Sequence, residues 1–201
     1  MTTLSPAALQ TLRQLVGRHI EMRDPDLALL AEASHERPFR KGETFLAAGE
    51  PARLCGLVIE GVQGEFYVLP NGSRKAKWLA RPGDVFGSLE DLVREGPARS
   101  TIEALSDGRV LCVPYRRLRE LALQQPLWAA FFVSLLESLY RQKSEREYSL
   151  LMLNADDRYQ WFLDHYGGLE GRVSLEIVAS YLGISTVHLS RVRAARSRPA
   201  D

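Results

Sequence analysis

Residues 174–193, from Ser174 to Arg193, read SLEIVASYLGISTVHLSRVR. Ser174 is a good N-cap, and Glu176 suits the positive end of a helix dipole. Ile177, Val178, Ala179 and Leu182 make one apolar face, with the small Ala179 where two helices must cross closely. Gly183 stands where the chain has to turn with positive φ. Ile184 packs under that turn. Ser185 caps a second helix, whose apolar face is Leu189 and Val192. A small residue, then glycine, then apolar anchors at fixed offsets is the requirement of a helix-turn-helix. The second helix presents Thr186, Val187, His188, Ser190, Arg191 and Arg193 outward. From Ser185 to Arg198 there are four arginines and no acid. Thr, His, Ser and Arg are side chains that reach base edges or phosphates. A solvated helical hairpin with incidental arginines is the plainer alternative.

Upstream, Asp157–Leu163 reads as a short amphipathic helix, and Gly167, Gly168 and Gly171 mark a turn. Before that comes the longest helical candidate, Leu127 to Leu153. Trp128, Phe131/Phe132, Leu135, Leu139, Gln142, Arg146, Leu150 and Leu153 follow a seam at alternating spacings of three and four, with a charged run at Lys143–Glu147. Such a seam suits pairing with a second copy of the chain. From Phe39 to Val113 the texture is short alternating runs punctuated by glycine. Leu57–Ile59, Glu65–Leu69, Lys77–Ala80 and Arg109–Val113 read as strands, and Asn71-Gly72 is a hairpin signal. Many short strands imply a small all-β barrel or sandwich. From Ser5 to Ser34 the pattern is helical, with start signals at Ser5-Pro6 and Asp24-Pro25.

The whole chain has 201 residues, 45% apolar and 25% charged, with a net charge of +1. Intrinsic disorder is excluded by the apolar share, and an indiscriminate polycation by the charge balance. Cys55 and Cys112 are distant in sequence and lie in apolar surroundings, so they read as buried small hydrophobes rather than a redox pair. Two cysteines are too few for an iron–sulfur cluster or a Cys-rich zinc site, and the four histidines form no local ligand pair. The N-terminus has no basic, apolar leader pattern. The longest apolar run, Leu127–Leu136, falls well short of the ~20 residues that span a bilayer. A soluble cytoplasmic protein is the expectation. No Gly-x-Ser-x-Gly elbow, HExxH or Walker loop points to an enzyme, and the pairs Asp156-Asp157 and Glu90-Asp91 read as caps and solvated charge.

The last segment resembles the DNA-binding domain of the CRP/FNR (cyclic-AMP-receptor/FNR) family of bacterial transcription regulators. The preceding part is similar too, through Lys41-Gly42-Glu43, Gly49-Glu50, Gly61, Pro82-Gly83-Asp84-Val85-Phe86-Gly87 and Ala98-Arg99-Ser100-Thr101. The resemblance runs from about Leu27 to Arg196. It implies an α+β chain in three parts. Residues 1–125 would form a cyclic-nucleotide-binding-like β-roll with flanking helices, residues 126–154 a dimerisation helix, and residues 155–201 a helix-turn-helix domain. The wing that many members carry after the recognition helix has little chain here, and Gly167–Val173 has room only for a short turn.

In nucleotide-binding members the stretch after Phe-Gly is a phosphate cassette, whose helix start offers N–H groups to the phosphate. By resemblance the pocket residues here are Gly87, Ser88, Leu89, Arg99 and Ser100, with Ser144 on the long helix beside Lys143. Arg99 and Ser100 match the phosphate clamp. Ser88 replaces the glutamate that holds the ribose, and Lys143 does not suit a base contact. Arg99 could instead pair with Glu90 or Asp91. Cyclic AMP, another anionic or nucleotide-like ligand, and no small ligand all stay open, and no iron–sulfur cofactor is expected.

The resemblance implies a homodimer through the Leu127–Leu153 helix on double-stranded DNA, with half-sites about 34 Å apart and RNA polymerase as a further partner. Arg191 would read guanine, and Thr186, His188 and Ser190 other base edges. Ser174 and Arg193 would hold phosphates, while Arg172, Arg196 and Arg198 add sequence-independent attraction. The competing reading is a ligand-sensing module that acts through protein partners without DNA. It predicts an intact cassette and no helix-turn-helix.

Overall fold

A computed structural model describes residues 4–196. Two helices open the chain, α1 (Pro6–Gly17) and α2 (Asp24–Ala31). The Ser5 hydroxyl accepts from the Ala8 N–H at 3.2 Å, so the Ser-Pro start signal acts as read. Eight strands and a short helix follow: β1 (His35–Phe39), β2 (Thr44–Leu46), β3 (Leu54–Glu60), β4 (Gln63–Val68), β5 (Arg74–Ala80), β6 (Val85–Phe86), α3 (Leu89–Arg94), β7 (Thr101–Ala104) and β8 (Gly108–Pro114). They form two four-stranded antiparallel sheets, ordered β1-β8-β3-β6 and β2-β7-β4-β5. The Asn71-Gly72 turn joins β4 to β5 in the register Val68↔Arg74.

Four strands were legible as alternating runs. β2, β6 and β7 are too short to show a period. β1 begins at His35 and contains Pro38, which an edge strand tolerates because proline lacks the N–H a central ladder needs.

The helices cover the two sheets separately. Leu57, Ile59, Leu111 and Val113 of the first sheet pack with α1, α2, α4 (Tyr115–Gln124) and the start of α5 (Pro126–Met152). Val62, Phe66, Ala76 and Leu79, from β4, β5 and the turn before them, pack instead with α6 (Ala155–His165), α7 (Leu175–Leu182) and α8 (Thr186–Arg196). The space between the sheets holds Phe39, Val58, Phe86, Ile102, Val110 and Cys112. The α+β architecture is that of a β-roll with flanking helices, one long helix and a C-terminal helical unit. Between α6 and α7 the chain makes turns and no strand.

Cys55 and Cys112 are both free thiols. They sit on the paired strands β3 and β8, where Cys55 is opposite Val113 and Cys112 is its next neighbour. Side chains alternate along a strand, so the two thiols point to opposite faces of the sheet. Burial pushes the Cys55 thiol up to about 12 and the Cys112 thiol up to about 11. Both are therefore poor nucleophiles near neutral pH.

The long helix requires a correction. The seam from Trp128 to Leu153 faces the chain's own body. Trp128, Phe131 and Leu135 are buried against α1, α4 and the first sheet, and Phe132 and Leu139 pack at the edge of that cluster. Further along, the Arg146 guanidinium donates to the carbonyls of Ala76 and Tyr181, both at 3.0 Å. A stripe with this spacing fits one flat apolar neighbour as well as another, and the roll supplies it intrachain. The face left exposed carries Val133, Tyr140, Tyr148 and Leu151. Among the described residues, no helix is long and apolar enough to cross a membrane.

Candidate nucleic-acid interface and cassette

The helix-turn-helix is built as its sequence dictates. The Ser174 hydroxyl accepts from the Ile177 N–H at 3.3 Å, capping α7. Gly183 adopts φ 69° and ψ 29°, and its N–H and that of Ile184 return to the carbonyls of Ser180 and Ala179. This is a left-handed C-cap, which glycine adopts without steric cost. A Cβ there would lie 3.1 Å from Leu150 Cδ2. Ser185 then accepts from the His188 N–H at 3.1 Å, capping α8. Leu189 and Val192 are buried against α6 and α7.

Thr186, His188, Ser190 and Arg191 are all exposed on α8. They differ from the neighbouring arginines in one respect. Arg193 pairs with Glu170 at 2.8 Å, and Glu170 also accepts from the Tyr159 hydroxyl. Arg196 hydrogen-bonds Gln160 and donates to the Asp156 carbonyl at 3.2 Å. Among the described residues Arg191 has no such partner. Arg172 is exposed in the turn before α7. Arg198 lies outside the described residues.

The α6–α8 unit is fastened to the roll. β5 is an edge strand, and its outward Ala76 N–H donates to the Ser180 hydroxyl at 2.9 Å. Arg146 lies over the Tyr181 ring, 4.3 Å from its centroid. The buried Tyr181 and Tyr166 hydroxyls bond each other at 2.8 Å, and burial is the first cause that raises both phenol pKa values.

The cassette is occupied by the chain's own charges. Ser88 and Ser100 are fully buried, 3.2 Å apart at their hydroxyls. Ser88 donates to Asp91 at 2.6 Å, and Ser100 donates to Glu65, whose other partner is Lys77 at 2.7 Å. Arg99 pairs with Glu90 and, at 3.4 Å, with Asp91. Its backbone N–H also donates to Asp91 at 3.0 Å. Gly87 and Leu89 frame the start of α3, with the Leu89 N–H turned back to the Gly87 carbonyl at 2.8 Å. Ser144 is half-buried on α5 and makes no hydrogen bond to the cassette.

Five of the six pocket residues thus lie in one cluster, and Arg99 takes the carboxylate pairing that its neighbours allowed. Sequence reasoning missed Glu65 and Lys77. They sit in two runs that look like ordinary alternating strands; the β4–β7 pairing brings Glu65 to the cassette and the β4–β5 pairing brings Lys77 to Glu65. Burial opposes ionisation of Asp91. The Ser88 hydroxyl, the Arg99 N–H and the charges of Lys77 and Arg94 outweigh it and hold the pKa below the ordinary value. An entering anion must displace these carboxylates from Arg99 and Ser100.

Residues 36–125 match the family model for the cyclic nucleotide-binding domain. No curated protein sequence matches the chain. Among solved structures, the chain is similar to FixK2 from Bradyrhizobium japonicum, with TM-score 0.69 and 23% identity over 81% of this chain and 83% of that one. It is also similar to CLP, described as a c-di-GMP-responsive global regulator of Xanthomonas campestris. That match has TM-score 0.65 and 17% identity, over 87% of this chain and 91% of that one. The catabolite activator protein of Thermus thermophilus matches with TM-score 0.54 and 21% identity, over 92% and 85% of the two chains. At these identities the likeness is one of fold.

Proposed function

We propose that this chain is a sequence-specific DNA-binding transcription regulator of the CRP/FNR type, acting as a homodimer on pseudo-palindromic operators. Its working parts are a sensor over residues 1–125, a dimer helix over 126–154 and a DNA reader over 155–201. The observation that carries the reading is Arg191, an exposed guanidinium without a partner among the described residues, on the second helix of a capped helix-turn-helix. In this reading Arg191 donates both its forks to a guanine edge in the major groove. Thr186, His188 and Ser190 meet neighbouring bases. Ser174 and Arg193 take phosphates, Arg193 by exchanging Glu170 for the DNA backbone. RNA polymerase is the partner such a regulator addresses once bound.

The carboxylates at Arg99 count against cyclic AMP in the cassette, which leaves another small effector or none. A cyclic phosphate would have to break the Arg99–Glu90, Arg99–Asp91 and Ser100–Glu65 contacts together. Gly87, Ser88, Leu89, Arg99, Ser100 and Ser144 remain the residues proposed to line it.

The test is operator selection from a random DNA pool, followed by titration of Arg191→Ala. The variant is expected to lose about 1–3 kcal/mol of discrimination at one base pair per half-site. It keeps weaker, salt-sensitive binding. Undiminished operator preference in the variant would overturn this reading of the recognition helix.

A further inference from the structure

A cavity lies away from the cassette. It is a cleft of about 460 Å³ where the end of α1, the β5–β6 turn, α5 and α6 meet, and it includes none of Gly87, Ser88, Leu89, Arg99, Ser100 or Ser144. This volume is within the range of small-molecule sites. Three guanidiniums line it, Arg18, Arg81 and Arg141, against two carboxylates, Asp84 and Glu145.

The guanidiniums are held differently. Arg18 is anchored by donating to the Gly83 carbonyl at 3.1 Å. Arg81 reaches Asp84 only at 3.8 Å. Arg141 is exposed on α5 and has no ion-pair partner among the described residues. Beside the cations stand aromatic rings, Trp78 from the roll and Trp161 and Tyr166 from α6 and its end. Trp161 is braced by His165, stacked at 4.6 Å between centroids and 26° between planes. Burial, reinforced by Arg18, lowers the pKa of His19 in the wall, so that imidazole adds no further charge near neutral pH.

We infer that this cleft binds a planar aromatic anion of about mononucleotide size, its ring against the tryptophans and its phosphate or carboxylate between Arg81 and Arg141. Guanidiniums short of a strong partner, held beside flat rings, match such a ligand in both halves. The anion gains charge-assisted bonds, and the ring gains stacking and cation–π contact. A bound ligand touches the roll, the long helix and α6 at once, so occupancy fixes their relative placement. The site itself stands independently of the DNA reading.

The test is titration of the free full-length protein with 5′-AMP and, separately, with indole-3-acetate, by calorimetry and tryptophan fluorescence. At least one probe is expected to saturate with a Kd below about 1 mM. The double variant Arg81→Gln/Arg141→Gln should weaken that binding about tenfold or more, while Arg99→Gln leaves it unchanged. Circular dichroism confirms that both variants fold. Failure of both probes to saturate would overturn the inference, as would binding that survives the double variant or is lost in Arg99→Gln. Saturation by 5′-AMP alone assigns the ligand to the nucleotide phosphates, and by indole-3-acetate alone to the aryl carboxylates. Because no DNA is present, a failed operator test leaves either result intact.

Discussion

Asp91 shows how a single residue sets the character of the cassette. It is almost wholly buried and holds Ser88, the Arg99 backbone and the Arg99 guanidinium together. Its pKa in the folded chain is depressed. The stabilisation it brings is therefore present above the unfolded carboxyl's pKa of about 4 and is lost as the pH falls through the lower folded value. Asp91→Asn should lower the thermal midpoint at neutral pH and flatten its decline on acidification. Melting curves recorded from pH ~2 to ~7 check this. An unchanged acid limb would mean that another carboxylate governs it. Glycine at 183 is equally a single-residue matter. It was legible because a positive φ at a helix end leaves so few alternatives.

Among the elements, α5 does two jobs along one face. Its inward face closes the first sheet with Trp128, Phe131 and Leu135, and then ties the roll to the last helices through Arg146. That guanidinium is the shared donor to a strand carbonyl, Ala76, and a helix carbonyl, Tyr181. Arg146→Met keeps much of the side-chain stem but leaves both carbonyls without this donor. Hydrogen bonds to a charged group contribute about 1.5–3 kcal/mol. A loss of that size is expected in urea unfolding, with earlier proteolytic cutting between α5 and α6. Equal stability and equal resistance would show that the apolar contact alone fastens the two parts. Helix existence and length were plain in the sequence. Which face turned inward was not, because a heptad-spaced stripe describes a contact without saying whose surface completes it.

At the scale of the whole molecule, the stripe of Val133, Tyr140, Tyr148 and Leu151 is exposed, and in the proposed homodimer it is the surface that would meet a second copy. Large apolar side chains aligned on one helix face favour pairing of two such helices. Tyr140→Glu/Leu151→Glu should shift sedimentation from dimer toward monomer and weaken binding to a two-half-site operator far more than to a single half-site. A variant that remains dimeric places the dimer contact elsewhere. The near-zero net charge is likewise an average over unlike parts, since residues 185–198 carry arginines and no acid. By itself the sequence determined the order of parts, the glycine-punctuated roll, the long helix and the capped helix-turn-helix. Those follow from local rules of capping, backbone conformation and periodicity that act within a few residues. Only the tertiary structure decided that Glu65 and Lys77 join the cassette, that Arg146 bridges strand and helix, and that a cationic, aromatic cleft opens beside α5. Each depends on groups distant in the chain, brought together by strand pairing and by burial of apolar faces, neither of which a short stretch of sequence specifies.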